Sequence, residues 1–204
     1  MLMRRRVMMG VAAMAFASQG PTQAAAADQE GAGTLEKRAA LADGLAGALK
    51  ACRLWVLHPD TWAAGPEPFL KDVGLGDAMG QVRSIAEVNQ PPEAWREGNV
   101  YWRINATLDA GYVLVVSHRM PICQVTGGGD ADLQPTVGEV LASPEFAEAW
   151  REVDEATRGD MVLTTFVSRE EPDFTMVLSR ATAPGARRDR VQVIASASFA
   201  PAGE

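Results

Sequence analysis

Cysteine and histidine are scarce in this chain, two of each in 204 residues. Two histidines cannot build a histidine-rich zinc site, and two cysteines cannot build a disulfide-dense scaffold. A basic excess is also missing. Lys plus Arg number 19 against 26 Asp plus Glu, a net charge of -7, which argues against a general nucleic-acid binder. No Gly-x-Ser-x-Gly, His-Glu-x-x-His or Ser-x-x-Lys pattern occurs. What is present is an ordinary globular balance, 47% hydrophobic and 22% charged, which excludes a disordered or collagen-like chain.

The N-terminus reads as an export signal over residues 1–26. Arg4, Arg5 and Arg6 form the positive region, and the apolar run from Val7 to Ala17 is too short to span a bilayer. Gly20-Pro21 breaks the run, and Ala24-Ala25-Ala26 offers small residues for cleavage after Ala26. Arg5-Arg6 also fits a loose twin-arginine pattern. Cleavage removes three arginines and no acid, so the net charge goes from -7 to -10. No later segment is apolar enough to span a membrane, so a periplasmic or secreted protein is expected. In that compartment the even pair Cys52 and Cys123, 71 positions apart, reads as one disulfide.

Residues 27–33 are rich in Ala and Gly and are expected to be a flexible tail, leaving 34–204 as a single domain. From Leu35 the pattern is helical. Ala42, Leu45, Leu49, Cys52 and Val56 share a face, so Cys52 points inward. Gly44 and Gly47 weaken that helix, and Pro59 ends it, with His58 as a cap in the last turn. Residues 61–74 read as loop and 75–88 as a second helix, before Pro91-Pro92 forces extended chain.

Strand signals follow. Val100, Trp102, Ile104, Ala106 and Leu108 alternate with polar residues, and residues 112–117 are a denser apolar run suited to the middle of a sheet. Pro121 interrupts it, residues 122–125 resume it beyond a bend, and Gly127-Gly128-Gly129-Asp130 reads as a loop. Thr136 and Glu139 suggest a capping box, and Ser143-Pro144 a second helix start. Phe146, Trp150 and Val153 then fall at helical spacing, with Gly159 as the stop. Residues 161–168 and 174–179 make a hairpin, and residues 191–199 a last strand. The pentapeptide Glu-Ala-Trp-Arg-Glu occurs at 93–97 and at 148–152, which either duplication or shared helix-end chemistry explains. Together these signals predict one α+β domain, a mainly antiparallel sheet of about five to six strands with helices on one face. The stretch 121–135 resembles small secreted bacterial proteins of unassigned activity, with one Cys in the first helix and one after a central strand. That resemblance covers under a tenth of the chain and implies no activity.

Candidate chemistry concentrates around the bent central strand. His118 can act as an acid or base, and Arg119 can bind a carboxylate. The amides of Gly127, Gly128 and Gly129 can meet an anion, and Asp130 lies beside them. Trp62, in a Pro/Gly stretch, is a lid candidate. Asp130 and Asp132 lack the remaining ligands of a calcium loop, so no metal and no cofactor is expected. With no catalytic constellation, the sequence favours a non-enzymatic binding or interaction protein. Its expected partner is an envelope protein or a small polar ligand, met through His118, Arg119, Gly127–Gly129, Asp130 and Trp62. The alternative is a small hydrolase-like enzyme using His118 with Asp130 or Asp132.

Overall fold

The computed structural model describes residues 22–185 and 191–199, with side chains from Gly33 onward. The arginines and apolar run of the expected export signal lie outside the described residues. The chain divides into two compact units at residue 34. Of the first, the described part is the start of helix α1 (Thr22–Leu57); the backbone of 27–33, expected as a tail, is helical there.

The second unit holds a mixed α+β domain built on one antiparallel sheet. Its strands are β1 (Met79–Val82), β2 (Asn99–Ile104), β3 (Ala110–Ser117), β4 (Ile122–Gly129), β5 (Trp150–Arg158), β6 (Met161–Ser168), β7 (Phe174–Ala181) and β8 (Val193–Phe199). There are eight described strands, not five or six. They lie in the order β1-β2-β3-β4-β8-β7-β6-β5, with every neighbour pair antiparallel. Each half of the sheet is thus a four-stranded meander, and the last strands of the two meanders pair at the centre. The Glu-Ala-Trp-Arg-Glu copies do not match this symmetry. The first begins in a 3₁₀ turn (Glu93–Trp95) before the second strand of its meander, whereas the second runs into the first strand of its own.

Period-two alternation decides which face of the sheet is buried. Trp102, Tyr112, Leu114, Val116, Cys123, Val125, Ala195, Ala197, Met176, Leu178 and Phe166 share the front face and are buried. Against them pack Leu41, Leu45, Leu49, Cys52 and Trp55 of α1 at helical spacing, in one continuous core. Helices α2 (Asp60–Ala63), α3 (Pro66–Val73), α4 (Gln134–Leu141) and α5 (Pro144–Ala149) complete the described set. Phe69 and Val73 of α3, Val137 and Val140 of α4, and Phe146 of α5 belong to the same core.

Several local readings change. Residues 61–74, expected as loop, contain α2 and α3. Pro66 at the start of α3 fixes a helical φ, and Gly74 closes it at φ 85°. The expected helix over 75–88 is instead edge strand β1 between two 3₁₀ turns, because Met79–Val82 finds the open edge of β2. The capping box at Thr136 is out of register: α4 starts at Gln134, Thr136 is buried in its first turn, and Glu139 reaches Arg38 at 2.7 Å. Ser143 does cap α5, accepting the Phe146 amide at 3.1 Å. That helix stops at Ala149, and Trp150 is already extended, at φ -128° and ψ 148°. Val153 sits at a β-bulge of edge strand β5 and is exposed. The charged residues of β5 suit an edge open to water, where they discourage further strand pairing. Gly159 serves the β5–β6 turn at φ 63° rather than stopping a helix.

Residues 122–129 are a separate strand, not the resumption of a bent one. Gly127, Gly128 and Gly129 pair with β3, so they are not a loop. The reason is Tyr112. Its ring lies over Gly127, where a Cβ would come within 2.7 Å of it, and beside Gly44 of α1, where a Cβ would come within 3.1 Å. Glycine on both sides leaves room for the phenol, whose hydroxyl donates to the Leu41 carbonyl at 3.0 Å.

Candidate functional site

His118 and Arg119 lie in the β3–β4 turn, at the disulfide end of the sheet. Cys52 and Cys123 are bonded, with Cα atoms 5.4 Å apart. The helical phase of α1 turns Cys52 inward, and Cys123 sits on the front face between Val116 and Ala197. One turn further along α1, Trp55 donates its indole N–H to the Ser117 carbonyl at 3.0 Å. Trp62 stacks on Trp55 with centroids 4.6 Å apart and donates its own indole N–H to the Trp55 carbonyl at 2.8 Å. The His118 ring packs against both, at 5.1 and 5.0 Å.

The structure therefore brings Trp62, His118 and Arg119 to one end of the sheet, in a closed arrangement. Trp62 is part of α2 and half-buried, and two directional contacts pin it. Arg119 pairs with Glu97. Ser117 ties the turn together, donating to the Glu97 carbonyl at 2.6 Å and accepting the Arg119 and Met120 amides. His58 and Arg53 share Glu170, at 2.9 and 3.0 Å, so His58 contacts a carboxylate as well as ending the helix.

Gly127, Gly128, Gly129 and Asp130 lie at the opposite end of β4. The eight residues of β4, of which the glycines are the last three, separate the His118–Arg119 turn from Asp130 by about 26 Å. Residues clustered in sequence are thus split in space. His118 is not brought to Asp130 or Asp132. Asp132 is engaged instead: it accepts the Gln134 amide at 3.0 Å and the Gly185 amide at 2.6 Å. Among the described residues no group of three His, Cys, Asp or Glu side chains converges where it could hold a metal.

The glycine end of β4 does line a cavity. It is a trough of about 500 Å³, within the usual range for small-molecule sites. The back of the sheet contributes Arg103 on β2, Val113 on β3 and Thr126 on β4, which sit side by side in register. The segment between β1 and β2 crosses above them. Asn89 there accepts a hydrogen bond from the Thr126 hydroxyl at 3.0 Å, and its carbonyl accepts from Gln124 at 3.2 Å. Leu108 of the β2–β3 loop and Val191 complete the rim with Gly128, Gly129 and Asp130. At the end of the trough Asp109 receives Lys37 at 2.5 Å and the Thr107 hydroxyl at 2.8 Å; these partners hold its carboxyl below the usual range.

Arg103 is the residue that sequence reading passed over. It occupies the polar phase of a well-read strand, where an arginine resembles any solvated side chain. Only the fold places Asn89, Asn105 and Thr126 along the same hollow. Arg103 makes no ion pair or hydrogen bond among the described residues; Lys50, Lys71, Arg83, Arg151 and Arg158 share that condition, but of these six cations Arg103 is the one that lines the trough. A second hollow of about 710 Å³ runs between α1 and α5. Its rim mixes Lys50 and Arg53 with Asp43, Glu145 and Glu148, so it selects no sign of charge. Among the described residues no helix is long and apolar enough to cross a membrane. No protein-family model, curated protein or solved structure matches this chain.

Proposed function

We propose that this is an exported, non-enzymatic binding protein, periplasmic or secreted, whose ligand site is the trough on the back of the sheet. The observation that carries the reading is Arg103, a cation without a protein partner among the described residues, set in a concave and partly apolar hollow. Export is supported by the N-terminal pattern and by the buried Cys52–Cys123 bond, which suits an oxidising compartment. The site retains Gly128, Gly129 and Asp130 of the residues expected from sequence and replaces Arg119 by Arg103. The turn around His118 is better read as a structural clasp, because its aromatic rings pack on one another and Arg119 is paired.

The test is purification of the tagged full-length protein from the cell envelope, with mass spectrometry of what accompanies it. A small molecule retained by the wild type and lost from Arg103→Gln is the expected result. Retention of the same molecule by Arg103→Gln, or of an envelope protein lost only from Arg119→Ala, would move the site to the other end of β4.

A further inference from the structure

We infer that the trough takes a monocarboxylate with an apolar body, of the medium-chain acyl type. The carboxylate lies on Arg103 and the chain runs along Val88, Leu108, Val113 and Val191. This rests on the trough being the ligand site and adds the class of ligand.

The charge comes first. Arg103 stands opposite Gly80 on β1 and Val113 on β3, neither of which offers it a carboxylate. A planar guanidinium without a partner among the described residues presents two parallel N–H groups, the geometry that a carboxylate fills. Asn89 gives its side-chain oxygen to Thr126, so the amide nitrogen is the atom it has left to offer, and nitrogen donates. Both polar groups therefore favour an acceptor.

Exposed apolar side chains call for an apolar body. Of the six large hydrophobic side chains that the described surface leaves exposed, Val88 and Leu108 both rim this trough, Leu108 at 110% relative exposure. They come from separate loops nearly twenty residues apart, and only the β1–β2–β3 meander brings them together. A chain laid between them removes from water apolar surface that the protein itself does not cover.

The experiment is calorimetric titration of the full chain with octanoate, hexanoate, acetate, octanol, octylamine and inorganic phosphate, repeated on Arg103→Gln and Leu108→Ser. Circular dichroism and melting curves confirm that both variants fold, as substitutions at exposed positions should. Octanoate should bind more tightly than hexanoate, by up to about fourfold per methylene. Octylamine and phosphate should not compete. Arg103→Gln should weaken octanoate at least about tenfold, the scale of a lost charge-assisted contact, and Leu108→Ser several-fold. Octanol or octylamine binding as tightly as octanoate, or Arg103→Gln binding like wild type, overturns the inference. Amide spectra recorded alongside separate the two levels. A different small molecule that shifts Asn89, Arg103 and Gly128 leaves the trough as the site and removes the carboxylate. If none of the probes shifts them, the inference fails and the trough loses its support as well.

Discussion

Replacing Gln192 by Leu should be among the most damaging single changes in the second unit, although the two side chains are similar in size. Gln192 is 1% exposed, and its side-chain amide is fully used. Its nitrogen donates to the Gly129 carbonyl at 3.0 Å and the Ala131 carbonyl at 2.8 Å, and its oxygen accepts the Leu133 amide at 2.9 Å. Its backbone carbonyl accepts the Gln134 side chain at 3.0 Å. One side chain thus ties the end of β4 and the start of α4 to the entry of β8. Leucine keeps the volume and leaves three backbone groups without their partner, each costing about 1–3 kcal/mol if it stays dry. Partial relaxation brings the expected loss to about 3–5 kcal/mol. At a urea slope of about 2 kcal/mol/M the unfolding midpoint should fall by roughly 1.5–2.5 M. Gln192→Glu offers a sharper comparison. A carboxylate keeps the Leu133 contact but faces two carbonyl oxygens, so this variant should be weaker than Gln192→Leu at neutral pH and recover on acidification, as a protonated carboxyl regains one donor. Denaturation curves for both variants at two pH values decide the matter. If both lie within about 1 kcal/mol of wild type, the assignment of this network to stability is wrong.

Three further outcomes are expected. The Cys52–Cys123 bond closes a separation of 71 residues, so Cys52→Ala with Cys123→Ala should lose about 4 kcal/mol on the chain-entropy model, read by urea denaturation; an unchanged midpoint would contradict it. Burial pushes the Tyr112 phenol pKa up, so its contribution is complete below the unfolded value of about 10 and is lost as pH rises beyond it. Tyr112→Phe should flatten that alkaline loss while giving up about 1 kcal/mol with the hydrogen bond to Leu41, and alkaline melting curves that superimpose would refute this. N-terminal sequencing of exported material should begin within about two residues of Ala27, the expected precision of a cleavage site read from pattern, whereas a retained Met1 in a cytoplasmic fraction would remove the export reading.

What the sequence made legible was whatever one strand or one helix face determines by itself. The alternation around Trp102, the apolar run from Tyr112 and the phase of Cys52 on α1 each fix a buried face, and the even cysteine pair behind an export signal, with Cys52 turned inward, anticipates the disulfide. What stayed hidden depends on partners distant in sequence. Strand β1 is too short to alternate visibly and exists because the edge of β2 accepts it. Strand β5 carries charges on both faces, so it shows no period, and Phe146, Trp150 and Val153 imitate a helix until pairing with β6 claims Trp150. The triple glycine looks like a turn because nothing local reveals the Tyr112 ring above it. The same holds for the site. His118 and Asp130 are near in sequence only because β4 is short in number, and it is long enough in space to part them. Arg103, Val88 and Leu108 come together only once the first meander is folded.

The back-face trough is the proposed meeting point of this protein and its ligand. The most direct measurement is an amide correlation spectrum of the labelled protein, titrated with the small-molecule fraction of the envelope from which it is purified. Shifts should concentrate at Asn89, Arg103, Thr126, Gly128 and Val191 and should vanish in Arg103→Gln. Shifts confined to Trp62, His118 and Arg119, or spread without regard to the trough, would contradict it.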